Sequence, residues 1–260
     1  SILIGRFLSL FICLSIILTT FSILRKLKVG SRRIVFLSFL SLTAFGYPLI
    51  NIPNLIWINV LFSLLSLLTY LYCLSSKCSR QYRFIVILSL LSALSISSKQ
   101  NLGLAFTLLF TLLVVFGKKD TIINKFKNLA LMSGTWILAT FAWVYYFFLR
   151  DNLQSFFDFI NASRRIAQET AFSYPPLTYI FQPLGFFKLL PYYLPLIVLF
   201  ILLAFLFKKN KNPGIIAFSL VAVVGFFVSV YPQSDLLHAY PFLGLVLISF
   251  LLFPFKSKVK

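Results

Sequence analysis

The positions able to do chemistry in this chain are few and well separated. Lys99, Gln100 and Asn101 follow Ser97 and Ser98 in a short polar run between two apolar stretches, Arg6 stands after Gly5 near the start, and Arg164 and Arg165 form a pair further on. A guanidinium presents a planar fork of donors and an ammonium a compact charge. Cations of both kinds, brought to one face of a membrane, can therefore converge on a phosphodiester at headgroup level. The plainer role for any one of them is snorkelling to ordinary headgroups. Lys99 is the strongest candidate, because it sits in a tight polar cluster within so short a turn.

A second constellation lies in Tyr231-Pro232-Gln233-Ser234-Asp235-Leu236-Leu237-His238, where a carboxylate and an imidazole stand at i and i+3. Such a pair can hold a proton or a metal, or hydrogen-bond a sugar hydroxyl. The competing role is structural: Asp235 caps the helix that follows, and His238 sits in the aromatic interface beside Tyr240. The sequence has 1 His, which excludes a His-rich metal site. Cys13, Cys73 and Cys78 have no CxxC spacing and read as packing residues. Neither a metal nor a cofactor is expected. With Asp120 in a lysine-rich connection, no two carboxylates close in sequence face the side of Lys99, so no general base for group transfer is visible.

A membrane must position these residues. The 260 residues are 60% hydrophobic and 11% charged, a balance that a water-soluble domain of this size keeps only by exposing large apolar patches. The 18% aromatic content, mostly Phe, suits side chains facing acyl tails or a greasy groove. In a soluble protein the net charge of +19, from 24 Lys and Arg against 5 Asp and Glu, would point to nucleic acid. Here the cations sit in short runs between apolar stretches, as topology determinants do on a cytoplasmic face with anionic headgroups. The partner expected is the lipid bilayer, with no nucleic acid.

A crossing helix needs roughly 17 to 25 apolar residues, because every backbone amide must be satisfied within the segment. About nine stretches qualify, near Ile2–Leu24, Ile34–Ile50, Leu55–Leu74, Phe84–Ser98, Leu102–Phe116, Leu129–Leu149, Leu190–Phe207, Ile215–Tyr231 and Ala239–Phe253. The fold expected is all-α: a polytopic transmembrane helical bundle forming a single transmembrane domain over residues 1–260. The fourth and fifth stretches are the shortest, which leaves a re-entrant hairpin as the competing topology there.

The connections sort by charge. Arg25, Lys26, Lys28, Arg32 and Arg33 follow the first stretch, Lys77, Arg80 and Arg83 the third, and Lys118, Lys119, Lys125 and Lys127 the fifth. Lys208, Lys209 and Lys211 follow the seventh, and Lys256, Lys258 and Lys260 end the chain. The alternate connections hold Arg6, Lys99, Arg150, Arg164, Arg165 and Lys188, with the acids Asp151, Asp158, Glu169 and Asp235. By the positive-inside rule the first set is cytoplasmic and Ser1, Lys99 and Asp235 lie outside. A chain that opens outside without an initiator Met is expected to be a fragment of a longer protein.

The long external connection, residues 150–188, is expected to carry function or structure of its own. Within it Leu153, Phe156, Phe157 and Ile160 fall at i, i+3, i+4 and i+7, the spacing of an amphipathic helix lying along the membrane surface or plugging the bundle. Pro175 and Pro176 then break the chain before the next span.

Three stretches resemble the polytopic glycosyltransferases of the GT-C fold, the superfamily of the protein mannosyltransferases and the aminoarabinose transferase of lipid A. Gly5-Arg6-Phe7-Leu8-Ser9 is similar to the start of that family's second helix, and Lys99-Gln100-Asn101-Leu102-Gly103-Leu104 to the turn between its fifth and sixth. Tyr231 to His238, followed by Tyr240-Pro241, resembles a Pro-x-x-Asp-x-x-His segment of many bacterial members.

The resemblance implies transfer of a sugar from a polyprenyl-phosphate donor to an unspecified acceptor on the non-cytoplasmic face, with a bacterial inner membrane and its periplasmic side as the setting. It implies that Arg6, Lys99, Arg164 and Arg165 meet the donor's lipid phosphate, and that Gln100, Asp235 and His238 lie near its headgroup. The family's catalytic Asp belongs to the first external loop, which is expected upstream of Ser1. Two other readings stay open. A polyprenyl-linked saccharide flippase or transporter calls for inverted repeats, broken helices and charges deep in the spans. A non-catalytic relative would only bind polyprenyl lipids.

Overall fold

The computed structural model describes residues 2–38, 40, 55–76, 78–116, 121–150, 152–154, 157–158, 177–183, 185–206, 212–230 and 236–253. Every regular element among them is helical. In chain order these are α1 (Ile2–Lys26), α2 (residues 31–38), α3 (Leu55–Ser75), α4 (Cys78–Ser98), α5 (Gln100–Phe116) and α6 (Ile122–Leu149). A short 3-10 turn (Leu177–Phe181), α7 (Gly185–Leu206), α8 (Pro213–Val230) and α9 (Leu236–Leu252) complete the described elements. The segments Gly5–Lys26, Ile56–Ser75, Gln81–Ser98, Ile122–Leu149 and Pro213–Val230 are long and apolar enough to cross a membrane, and Gln100–Phe116, Tyr192–Ala204 and Pro241–Leu252 are shorter apolar helices. The protein is an all-helical, multi-pass integral membrane protein.

Helix starts differ from the apolar stretches in a consistent way. α4 begins at Cys78 rather than Phe84, α6 at Ile122 rather than Leu129, and α7 at Gly185 rather than Leu190. Hydropathy locates the part of a helix that lies in hydrocarbon, whereas the helix itself runs on to its cap. At α6 that cap is Thr121, whose hydroxyl accepts from the Asn124 N–H at 3.4 Å. Arg80, Arg83, Lys125 and Lys127 thus occupy the first turns of helices rather than loops.

α3 is the central helix. It packs against α1, α4, α5, α8 and α9, and Val60, Leu64 and Leu67 on it are wholly buried. Lipid offers apolar side chains no driving force to leave it, so association rests on close packing and on satisfied polar groups. Both are present. Gly225 of α8 lies against the Phe242 ring of α9, which an added Cβ would approach to 2.3 Å. Buried hydroxyls at Thr20, Ser89 and Ser92 donate to the carbonyl one turn back at 2.8 to 3.0 Å, so no partner from another helix is needed.

α6 contrasts with this. Its 28 residues extend roughly 42 Å at 1.5 Å per residue. It packs on α4 and α5, with only Asn128 and Met132 fully buried. Phe141, Tyr145, Tyr146 and Phe148 are exposed toward its last turns, where aromatic side chains suit a membrane interface.

The bundle has two distinct ends. At one, the Lys26 ammonium stands 4.3 Å from the Tyr72 ring centroid and Tyr72 stacks on Phe84 at 5.9 Å. Tyr70 Oη donates to the Leu113 carbonyl at 3.2 Å, and Lys125 lies 6.0 Å from the Phe116 ring. Gly214 sits against Leu27 and Leu71. These contacts gather the ends of α1, α3 and α5 and the starts of α4, α6 and α8. Arg25, Lys28, Arg32, Arg33, Arg83 and Lys127 are exposed there.

The runs Lys118–Lys119 and Lys208–Lys211 and the lysines of the tail lie outside the described residues. α4 and α5 both reach from this basic end to the Lys99 corner. The hairpin they form has its two feet together and its turn at the far end.

Candidate functional site

The far end is built around the α4–α5 corner, where Lys99 alone separates two helices. Its N–H donates to the Ser95 carbonyl at 3.1 Å, closing α4, and its carbonyl accepts from the Gly103 N–H at 2.9 Å, opening α5. The reversal needs close contact: a Cβ on Gly103 would lie 2.3 Å from the Ile96 backbone nitrogen and 2.4 Å from its Cα. Only glycine admits that approach. Lys99 and Gln100 are half-buried and Asn101 is exposed.

Asn101 ties the corner to its neighbour. Its Nδ2 donates to the Val228 carbonyl at 3.4 Å, near the end of α8, while its Oδ1 accepts from the Leu102 N–H at 2.9 Å. The start of α5 carries the positive end of a helix dipole beside the Lys99 charge, a combination that favours an anion. α9 starts at the same end, where Pro241 lies inside the helix and cannot donate to the Leu237 carbonyl.

The residue that composes this corner is Asn59 of α3, wholly buried. One amide orientation bonds only the Ser95 and Ser98 hydroxyls, whereas turning the oxygen toward the Lys99 N–H also satisfies that N–H and the Ser95 carbonyl. In that orientation Oδ1 accepts from the Lys99 N–H at 3.2 Å and from Ser98 Oγ at 2.7 Å. Nδ2 donates to the Ser95 carbonyl at 3.1 Å and to Ser95 Oγ. By local spacing Asn59 is one member of the apolar stretch Leu55–Leu74. A lone amide between Ile58 and Val60 is itself a signal, since lipid leaves such a group without a partner unless another helix supplies one.

The other expected site residues fall as follows. Arg6 is exposed near the start of α1. It lies some 20 residues before Lys26, roughly 30 Å along a helix axis, and α1 packs on α3 with Lys26 beside Tyr72. Arg6 therefore belongs to the Lys99 end, and no described contact joins it to Lys99. Arg164, Arg165 and Asp235 lie outside the described residues. His238 is placed by its backbone in the first turn of α9.

Of the surface-helix pattern, residues 153–154 and 157–158 are helical, with Gln154 Nε2 donating to Asp158 Oδ1 at 3.0 Å. Phe156 and Ile160 lie outside the described residues. The 3-10 turn in the same connection packs on α7 with Leu177 and Phe181 exposed. Cys13 and Cys73 are buried. Among the described residues no group of His, Cys, Asp or Glu is arranged to hold a metal ion.

Compared with known proteins, this chain matches no family model, no curated protein and no solved structure.

Proposed function

We propose that this protein is a membrane glycosyltransferase, or a part of one, that transfers a sugar from a polyprenyl-phosphate donor to an acceptor at the end of the bundle bearing Lys99. The reading places that end on the non-cytoplasmic side, with a bacterial inner membrane as the setting. It draws on the resemblance of the Gly5, Lys99 and Tyr231 stretches to GT-C enzymes. The observation that carries it is the α4–α5 corner: a half-buried lysine at a helix start, opposite the end where the exposed cations gather.

In this account Lys99 stabilises the departing lipid phosphate as its charge grows, and Arg6 adds a second cation at the same end. Gln100 supplies a donor beside it. Arg164, Arg165, Asp235 and His238 keep their proposed roles around the phosphate and the headgroup.

The test is sugar transfer from a radiolabelled polyprenyl-phosphate sugar by the full-length protein in liposomes. Lys99→Ala is expected to lower turnover by about 10²- to 10³-fold, the usual effect of removing one group that stabilises developing negative charge, with membrane insertion unchanged. Unaltered turnover removes Lys99 from the site.

A further inference from the structure

We infer that Asn59 is the positioning residue of the Lys99 site, holding the ammonium where an anionic lipid headgroup can meet it. The inference rests on the reading of Lys99 as the group that meets the phosphate.

Asn59 is wholly buried in a helix whose neighbours Trp57 and Val60 are buried and apolar. A leucine of similar volume would fill the same space with no polar group to satisfy, so the fold alone does not call for an amide here. The amide spends its hydrogen bonds on one short stretch of another helix, the last turn of α4 and the residue after it. That turn is where the α4 carbonyls run out of helical partners. The Ser95 carbonyl there receives the Lys99 N–H and Asn59 Nδ2, both at 3.1 Å.

Asn59 thus bonds the Lys99 backbone directly through its N–H, and again through the carbonyl to which that N–H also donates. On its other side the corner is held by the Gly103–Ile96 contact. From outside the hairpin come the Val228 carbonyl of α8, which receives Asn101 Nδ2, and the buried Asn59. Asn59 comes from α3, the helix on which α1 is also packed. Without the amide the hairpin keeps its own turn, while its height and rotation relative to α3 lose their polar tie. The ammonium shifts with them.

The measurement is binding of undecaprenyl phosphate to the full-length protein in nanodiscs, set against binding of uncharged undecaprenol. The ratio of the two affinities isolates recognition of the phosphate. A residue that only stabilises the fold leaves this preference intact, whereas a positioning residue carries it. Asn59→Leu is expected to lower the preference by about tenfold or more, the worth of one hydrogen bond to a charged group. Asn59→Asp is expected to restore most of it, because as a buried neutral acid it keeps an acceptor for the Lys99 N–H and a donor for Ser95.

Lys99→Gln separates the two ideas. If it loses the preference while Asn59→Leu keeps it, Lys99 stands and the positioning role is overturned. If Lys99→Gln keeps the preference, both fall. Should Asn59→Leu fail to insert, Asn59→Ala takes its place in the same comparison: a lowered preference supports the tie, and an unchanged preference overturns it.

Discussion

The two ends of this bundle are fastened by different chemistry. At the basic end the helices meet through apolar side chains, ring stacking and cations lying over rings, as with Lys26, Tyr72 and Phe84. At the other end one amide, two serines and a peptide N–H form a buried hydrogen-bonded knot around a single lysine. Many exposed cations that share a task are individually replaceable, and they act by their sum as a topology signal. A half-buried lysine whose backbone is held by buried bonds is a costly arrangement, retained where position matters.

That contrast is broken most sharply by activity. Lys99→Ala is expected to remove about 10²- to 10³-fold of sugar transfer, whereas replacing both Arg25 and Arg32 by Gln leaves turnover unchanged in the same liposome assay. Equal losses from the two changes would erase the distinction between the ends.

Stability sharpens it next. Gly103→Ala drives a Cβ into the Ile96 backbone, which cannot yield without moving α4, and is expected to destabilise the protein by ~3 kcal/mol. Gly214→Ala at the basic end meets only the tips of Leu27 and Leu71 and the Asn212 side chain. Those side chains can swing aside, so the expected loss is ~1 kcal/mol. Thermal unfolding in detergent distinguishes the two.

The smallest effect has the opposite sign. Lys28 closes α1 in the left-handed region at φ 58°, with its N–H on the Arg25 carbonyl and the Val29 N–H on the Leu24 carbonyl. This is the pattern that favours glycine. Lys28→Gly is expected to stabilise by ~1 kcal/mol, visible as a raised unfolding temperature, and topology should not change.

The crossing helices were legible because an apolar run long enough to span lipid has few other uses. Their starts at Cys78, Ile122 and Gly185 were not, since a helix outlasts the slab that hydropathy detects and stops at a cap such as Thr121. The Lys99 corner was visible as a polar run between two apolar ones, and the alternation of basic connections anticipated which ends share a side. Asn59 was missed for a physical reason: its meaning depends on which turn of α4 lies against it, a tertiary fact that no local spacing carries. Arg6 and Lys99 share an end of the bundle, where α3 packs against α1, α4 and α5.

The account turns on the two ends facing opposite sides of the membrane. With Cys78 replaced by Ser and Cys13 and Cys73 buried, single cysteines at the exposed positions Ser97 and Lys28 can be probed in intact cells with a membrane-impermeant maleimide. Ser97→Cys is expected to label from outside and Lys28→Cys only after permeabilisation. Labelling of Lys28→Cys from outside, with Ser97→Cys protected until the membrane is opened, would contradict it.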